Sequence, residues 1–189
     1  MTAMAVGALM TADEYLAGPE GPPRTSLIEG EVVLHAPKLP HELACSELHF
    51  ALQVWRRAER GRGLAVRPID VKLNERNVYN PDILWYADDR APRRDDRPPY
   101  PMPDVAIEVR SPSTWRYDVG VKKTIYEQHG LAELWLVDTR AQTVLVYRRS
   151  APEAKTFDVA LELERDEQLT SPQLPGFSLA LGELFADPG

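Results

Sequence analysis

The chain has a single cysteine, Cys45, among its 189 residues, so it cannot close a disulfide within itself. That scarcity points to a reducing compartment, and the cytoplasm is the expected location. No apolar run approaches the ~20 residues a membrane helix needs, so no spanning segment and no membrane partner are expected. The opening MTAMAVGALM is apolar but short, and it lacks the basic flank of a secretion signal. A phosphate-cradling glycine loop is missing too: Gly61-Arg62-Gly63 reads as two glycines ending a helix. His41-Glu42 does not open a zinc-protease motif, because Cys45 stands where the second histidine would be. Positive charge is in short supply, with 22 Lys and Arg against 29 Asp and Glu and a net of −7. Phosphate contacts need cations, so this balance weighs against tight nucleic-acid binding. The charge is uneven, however. Ser150 to Gly189 holds eight acids and two bases, which leaves a net of only −1 for residues 1–149. That larger part carries all four histidines and two basic clusters, Arg56, Arg57, Arg60, Arg62 and Arg90, Arg93, Arg94, Arg97.

Apolar content of 43% and charged content of 27% suit one globular domain over residues 1–189. Only the first ten residues and the stretch from Arg90 to Pro103 read as candidates for disorder. Thr11 to Glu14 has the form of a capping box, with Thr11 the N-cap of a short helix through Leu16. Gly18 to Pro23 breaks the chain. Leu27 to His35 reads as a β-hairpin turning near Gly30, ended by Pro37 and Pro40. From His41 to about Arg60, Leu43, Leu48, Ala51, Leu52 and Trp55 recur close to helical spacing. Strand-like segments follow at Leu64–Leu73, Ile83–Tyr86 and Val105–Val109. A helix is predicted from Asp118 to His129, then a strand pair, Leu134–Val137 with Thr143–Tyr147. Thr156–Leu163 reads as an outer strand and Leu181–Phe185 as a last helix. This order predicts an α/β fold, a mixed β-sheet flanked by helices with an N-terminal β-hairpin.

Three residues carry potential chemistry: Asp82 entering a strand, Glu108 inside the apolar run VAIEV, and Lys122 on the next helix. A carboxylate within an apolar strand is costly to bury unless a cation or a donor meets it. Two carboxylates on neighbouring strands supply hard oxygen ligands for Mg²⁺. Lys122 shares a helical stripe with Asp118, Ile125, Tyr126 and His129, whereas Lys123 turns away. The alternative reading of Asp82, Glu108, Lys122 and Arg110 is a buried structural ion network. His41, Cys45 and His49 also share a helical face, but its ends lie about 12 Å apart, too far for one ion. Cys45 reads as a buried helix thiol rather than a nucleophile. Trp115 follows the Ser-Pro-Ser-Thr loop beside Glu108 and is the aromatic best placed to touch substrate.

Pro81-Asp82, PDVAIEVRSPST (Pro103–Thr114), Asp118, Lys122, Tyr126, Gly130 and LWLVD (Leu134–Asp138) together resemble the Uma-two family of restriction-endonuclease-like proteins, within the PD-(D/E)XK nuclease superfamily. The resemblance extends from LIEGE (Leu27–Glu31) through VYR (Val146–Arg148), a core of about 27–148, and LPGFSL fits the usual end within the acidic extension 150–189. It implies Asp82 as the motif aspartate, Glu108 as the acidic residue of the E-x-K element, and Lys122 as the lysine moved onto the following helix. Arg110 holds the strand-lysine position, where it can clamp a phosphate but cannot act as a base. The resemblance also brings Glu31 and His41 toward the pocket.

The leading expectation is a Mg²⁺-dependent endonuclease, with Mn²⁺ as a substitute, hydrolysing phosphodiester bonds of nucleic acid, DNA first. Asp82, Glu108 and the Val109 carbonyl are the expected metal ligands, with Lys122 assisting the water and Arg110, Glu31, His41, Asp118 and Trp115 supporting. A homodimer suits cutting two strands. The competing readings are a non-catalytic scaffold that keeps the ion network and a hydrolase of a small phosphorylated substrate.

Overall fold

In the computed structural model, which describes residues 9–18 and 24–186, the alternation of apolar side chains builds one six-stranded sheet with a helix on each face. Its strands are β3 (Leu64–Val66), β6 (Ile83–Tyr86), β7 (Val105–Val109), β8 (Glu133–Asp138), β9 (Thr143–Arg148) and β10 (Val159–Leu163), in the order β10-β9-β8-β7-β6-β3. Every neighbouring pair is antiparallel except β7 and β8. A parallel pair needs a crossover, and here it is the helical segment from Trp115 to Gln128. The mixed sheet flanked by helices is the α/β architecture that the sequence predicts.

Period-two alternation assigns the two faces. Val105, Ile107 and Val109 of β7, with Trp135 and Val137 of β8, join the cluster containing Ala44, Cys45, Leu48, Leu52 and Trp55 of α2 (Leu39–Ala58). The intervening Ala106, Leu134 and Leu136 join Tyr126 and Leu131 on the opposite face. Glu108 shares the parity of Ala106, so it too points at the crossover helix. Burial of such large apolar side chains contributes roughly 1.5–3 kcal/mol each. The segment after β10, with β11 (Gln168–Leu169), β12 (Leu179–Ala180) and α5 (Leu181–Leu184), closes the α2 face through Leu169, Leu174 and Phe177.

A second sheet, order β2-β1-β5-β4, contains β1 (Thr25–Ile28), β2 (Glu31–Leu34), β4 (Val71–Asn74) and β5 (Asn77–Tyr79). The predicted hairpin is β1 and β2. It turns at Glu29 and Gly30, both with positive φ, the conformation a tight two-residue hairpin demands. The capping box at Thr11 is present and begins α1 (Ala12–Leu16). Leu64–Leu73 is not one strand: it divides into β3 and β4, which sit in different sheets on either side of Pro68. Pro40 does not end the hairpin but lies in the first turn of α2, where its missing N–H costs nothing. β5 was not foreseen. Of the two stretches read as candidates for disorder, residues 1–8 lie outside the described residues, while Met10 N–H donates to the Gly30 carbonyl at 2.8 Å. The other, Arg90–Pro103, is an irregular loop whose Tyr100 N–H donates to the Asp70 carbonyl at 2.8 Å. Residues 19–23 of the predicted chain break also lie outside the described residues.

Candidate active site

The pairing of β6 with β7 sets Ile83 opposite Ile107, which carries Asp82 to the position across from Glu108. Both carboxylates are buried, at 5% and 2% exposure. Asp82 Oδ2 accepts the Val109 N–H at 2.8 Å, and His41 Nε2 from α2 lies 3.1 Å from Oδ1. Glu108 Oε1 accepts two donors, Lys122 Nζ and the Tyr126 hydroxyl, each at 2.9 Å. No hydrogen bond reaches Oε2 among the described residues.

The crossover helix is irregular where the charges sit. α3 (Trp115–Tyr117) and α4 (Lys123–Gln128) meet across Asp118–Lys122, where the helix kinks at Gly120, whose torsions are not helical. In a straight helix, residues four apart drift by about 40° per step. The kink at Gly120 interrupts that drift between Asp118 and Lys122. Asp118, Lys122 and Tyr126 therefore all point inward, and all three are essentially buried. His129, three residues further along the predicted stripe, is exposed.

Lys122 Nζ contacts Asp118 Oδ1 at 2.8 Å as well as Glu108. The contact to Asp118 lies off the hydrogen-bonding direction, and Oδ1 has no other partner. Asp118 Oδ2 takes a long bond of 3.4 Å from Thr114, whose hydroxyl is 2.8 Å from that of Ser111. One ammonium thus faces two carboxylates, with Asp82 nearby. The site holds more negative charge than its cation balances.

Electrostatics follows from that excess. Burial pushes Glu108 up to about 8, against the pull of Lys122 and with the repulsion of Asp118 and Asp82. Burial also raises Asp118, partly offset by Lys122. Burial opposes the charge of Asp82 as well, but His41, the Val109 N–H and Lys122 outweigh it and hold this carboxyl below its ordinary value. For Lys122, burial works against the charge, yet Asp118 and Glu108 prevail and keep the ammonium protonated. A lysine so held is no general base.

Asp82 and Glu108 border a cavity of about 10 Å³, room for one water-sized sphere, completed by Arg24, His35, Pro37, His41, Ser111 and Thr114. The sequence reading did not single out His35, Ser111 or Arg24. Only the hairpin's return brings His35 there, with Ser26 3.0 Å from its Nε2, and burial and Lys122 bring it down to about 4, neutral at pH 7. Glu31, on the same hairpin, is exposed and stands apart from the cavity. Lys122 also does not border it, lying behind Glu108.

A neighbouring groove of about 220 Å³ shares His41 with the cavity and is lined by Lys38, Arg110 and Arg140, besides Pro40, Pro112 and Thr139. Arg110 is held by Asp138 at 2.5 Å and lies 5.4 Å from the centre of the Trp115 ring. Arg110 therefore lines this shoulder, whereas Trp115 packs against Arg110 without lining the groove. Hard oxygen donors, an unpartnered Glu108 oxygen and a cavity of one-atom size form a set that a small divalent cation fits. Among the described residues no helix is long and apolar enough to cross a membrane.

A family model described as Uma2, putative restriction endonuclease, matches residues 12–182. Among solved structures, the chain is similar to a crystal structure of a putative nuclease belonging to DUF820 from Anabaena variabilis. The TM-score is 0.77 at 25% identity, over 93% of this chain and 97% of that one. No curated protein matches. The architecture is thus that of the restriction-endonuclease-like nucleases.

Proposed function

The chain belongs to the Uma2 family of putative restriction endonucleases, and from that premise we propose a divalent-metal-dependent endonuclease that hydrolyses phosphodiester bonds of DNA. One observation carries the reading: two buried carboxylates, Asp82 just before β6 and Glu108 on its partner strand β7, border a cavity of one-ion size, with the Glu108 Oε2 atom unpartnered.

Asp82 and Glu108 would hold Mg²⁺, or Mn²⁺ in its place. The Val109 carbonyl is the third donor we propose, because an extended residue turns its N–H and C=O to one strand edge, and this N–H meets Asp82. When bound, the cation supplies Lewis-acid stabilisation of charge on the scissile phosphate. His41 fixes Asp82, and Tyr126 and Lys122 fix Glu108. Lys122 acts as a positioning cation through Glu108 and Asp118 rather than as an acceptor of the water proton. Lys38, Arg110 and Arg140 give the adjoining groove the positive charge that the net −7 lacks, suited to the phosphate next along the strand. Trp115 stiffens that shoulder by packing beneath Arg110. A two-fold dimer would present two such sites to the two strands of a duplex.

The buried Lys122–Glu108 and Lys122–Asp118 ion pairs also support a second reading, a nuclease-fold scaffold whose ion network is structural. Incubating wild-type and Asp82→Asn protein with supercoiled plasmid and single-stranded DNA, in Mg²⁺, Mn²⁺ or EDTA, separates the two. Metal-dependent nicking that vanishes in the variant supports the nuclease. Folded wild-type protein that cuts neither substrate in any metal favours the scaffold.

A further inference from the structure

We propose that His41, Cys45 and Asp82 form a site for one thiophilic divalent cation of the zinc class, distinct from the all-oxygen site of Asp82 and Glu108. His41 and Cys45 lie four residues apart on one face of α2, and the fold adds Asp82 from the loop before β6. All three are buried, and one ligand atom from each falls within 4.8 Å of the others. His41 Nε2 stands 3.1 Å from Asp82 Oδ1 and 3.9 Å from Cys45 Sγ. Tetrahedral zinc, with bonds of about 2.0–2.3 Å, separates its ligand atoms by roughly 3.3–3.6 Å. Cys45 Sγ lies 3.7 Å from His41 Nδ1 as well, and its separation from the Asp82 oxygen, within 4.8 Å, closes to a tetrahedral edge by a side-chain movement of at most about 1.2 Å.

Two further features fit a metal. Glu42 Oε1 lies 3.4 Å from the other ring nitrogen, His41 Nδ1, where a ligating imidazole ordinarily finds a carboxylate to fix its tautomer. Three protein ligands leave a fourth position, and His41 and Asp82 both border the cavity, so that position opens toward it. Sulfur and imidazole favour zinc or cobalt over magnesium, which takes oxygen. His49, the outer member of the helical row, has no part, with Gln53 Nε2 3.1 Å from its ring.

Binding is a ligand exchange without redox chemistry. The Cys45 S–H bond breaks, its proton leaves to solvent, and a sulfur–metal bond forms. Apparent affinity rises with pH, because that proton must be displaced. Because Asp82 serves both sites, an ion held by Cys45 takes Asp82 away from Glu108. On the nuclease reading, zinc therefore opposes magnesium-dependent cleavage. The binding itself does not depend on that reading.

The test is titration of metal-stripped full-length protein with Co²⁺, reading the thiolate-to-cobalt charge-transfer band and the intense visible bands of tetrahedral cobalt. The proposal expects saturation at one ion per chain, loss of the charge-transfer band in Cys45→Ser, and its retention in Glu108→Gln. Absence of the band in folded wild-type protein overturns it. So does a band that survives Cys45→Ser or disappears in Glu108→Gln. Should Cys45→Ser fail to fold, zinc-edge X-ray absorption on the wild type decides: one sulfur at about 2.3 Å supports the site, and a shell of only oxygen and nitrogen overturns it. If the charge-transfer band forms but no cleavage occurs in any metal, the nuclease reading fails and the zinc site stands.

Discussion

Two glutamates sit on the adjacent parallel strands β7 and β8, both buried, and they differ in what their second oxygen meets. Glu133, at the start of β8, accepts Trp135 Nε1 at 2.6 Å on one oxygen and the Ser171 hydroxyl at 2.7 Å on the other. Its charge is opposed by burial, which raises its pKa, and no cation contacts it among the described residues. Glu108, near the end of β7, has both its donors on Oε1 and leaves Oε2 toward a cavity. Glu133 is closed and structural. Glu108 is half-satisfied and lies toward the carboxyl end of its strand, where ligands of open α/β sheets bind. Burial is common to both; an unpartnered oxygen on a residue that borders a cavity belongs, of the two, to Glu108.

The sharpest way to break this contrast is to neutralise each glutamate in turn. Glu108→Gln should lower metal-dependent DNA cleavage on the order of 10³-fold, whereas Glu133→Gln should leave the rate per folded molecule unchanged. Equal losses in a plasmid-nicking assay would abolish the distinction. Next in size is Lys122→Met, which leaves Glu108 and Asp118 facing each other without their cation. Breaking a buried pair in this way costs about 3–5 kcal/mol, measurable by urea denaturation; a near-neutral result would mean the network is already open to water.

A smaller effect separates the two glutamates by pH. Each binds its proton more tightly folded than unfolded, so between the two pKa values stability falls as pH rises. His35, held near 4 against an ordinary 6.5, acts in the opposite sense but has finished titrating above pH 7. From pH 7 to 8 in EDTA, Glu108 should therefore cost the fold on the order of 1 kcal/mol. Saturating Mg²⁺ or Glu108→Gln should remove that dependence in thermal melts. A slope untouched by either would assign it to other groups. The least effect is expected from Glu133→Gln on stability, below about 1 kcal/mol, because an amide can still accept from Trp135 and donate to Ser171. A cost of several kcal/mol would show that the closed site needs its charge.

Sequence pattern reached local features best. The capping box at Thr11, the turn at Gly30 and the strand VAIEV follow from rules spanning a few residues. Glu108 and Lys122 stood out because each is polar within an apolar or inward-facing pattern. Glu133 escaped notice although its strand is as apolar, because strand ends tolerate charge and the pattern stops there. β5 was too short and polar to register. The division of Leu64–Leu73 between two sheets depends on where each half finds partners. His35 and the approach of Cys45 to Asp82 depend on tertiary contacts between distant segments, which no local spacing encodes. Helical rise makes the row His41, Cys45, His49 too long for one ion; Asp82, the third ligand of the proposed site, stands 37 residues beyond Cys45 in the chain.

The kink at Gly120, between Asp118 and Lys122, sets the phase of everything after it. Deleting Gly120 would remove the residue that makes the kink and turn one flank against the other by about 100°, the angle of one helical residue. Lys122 and Tyr126 could then not both meet Glu108 while Asp118 kept its place. The crossover works as a combination with one correct length: its side chains can be exchanged singly, but a one-residue insertion or deletion there changes the whole setting at once.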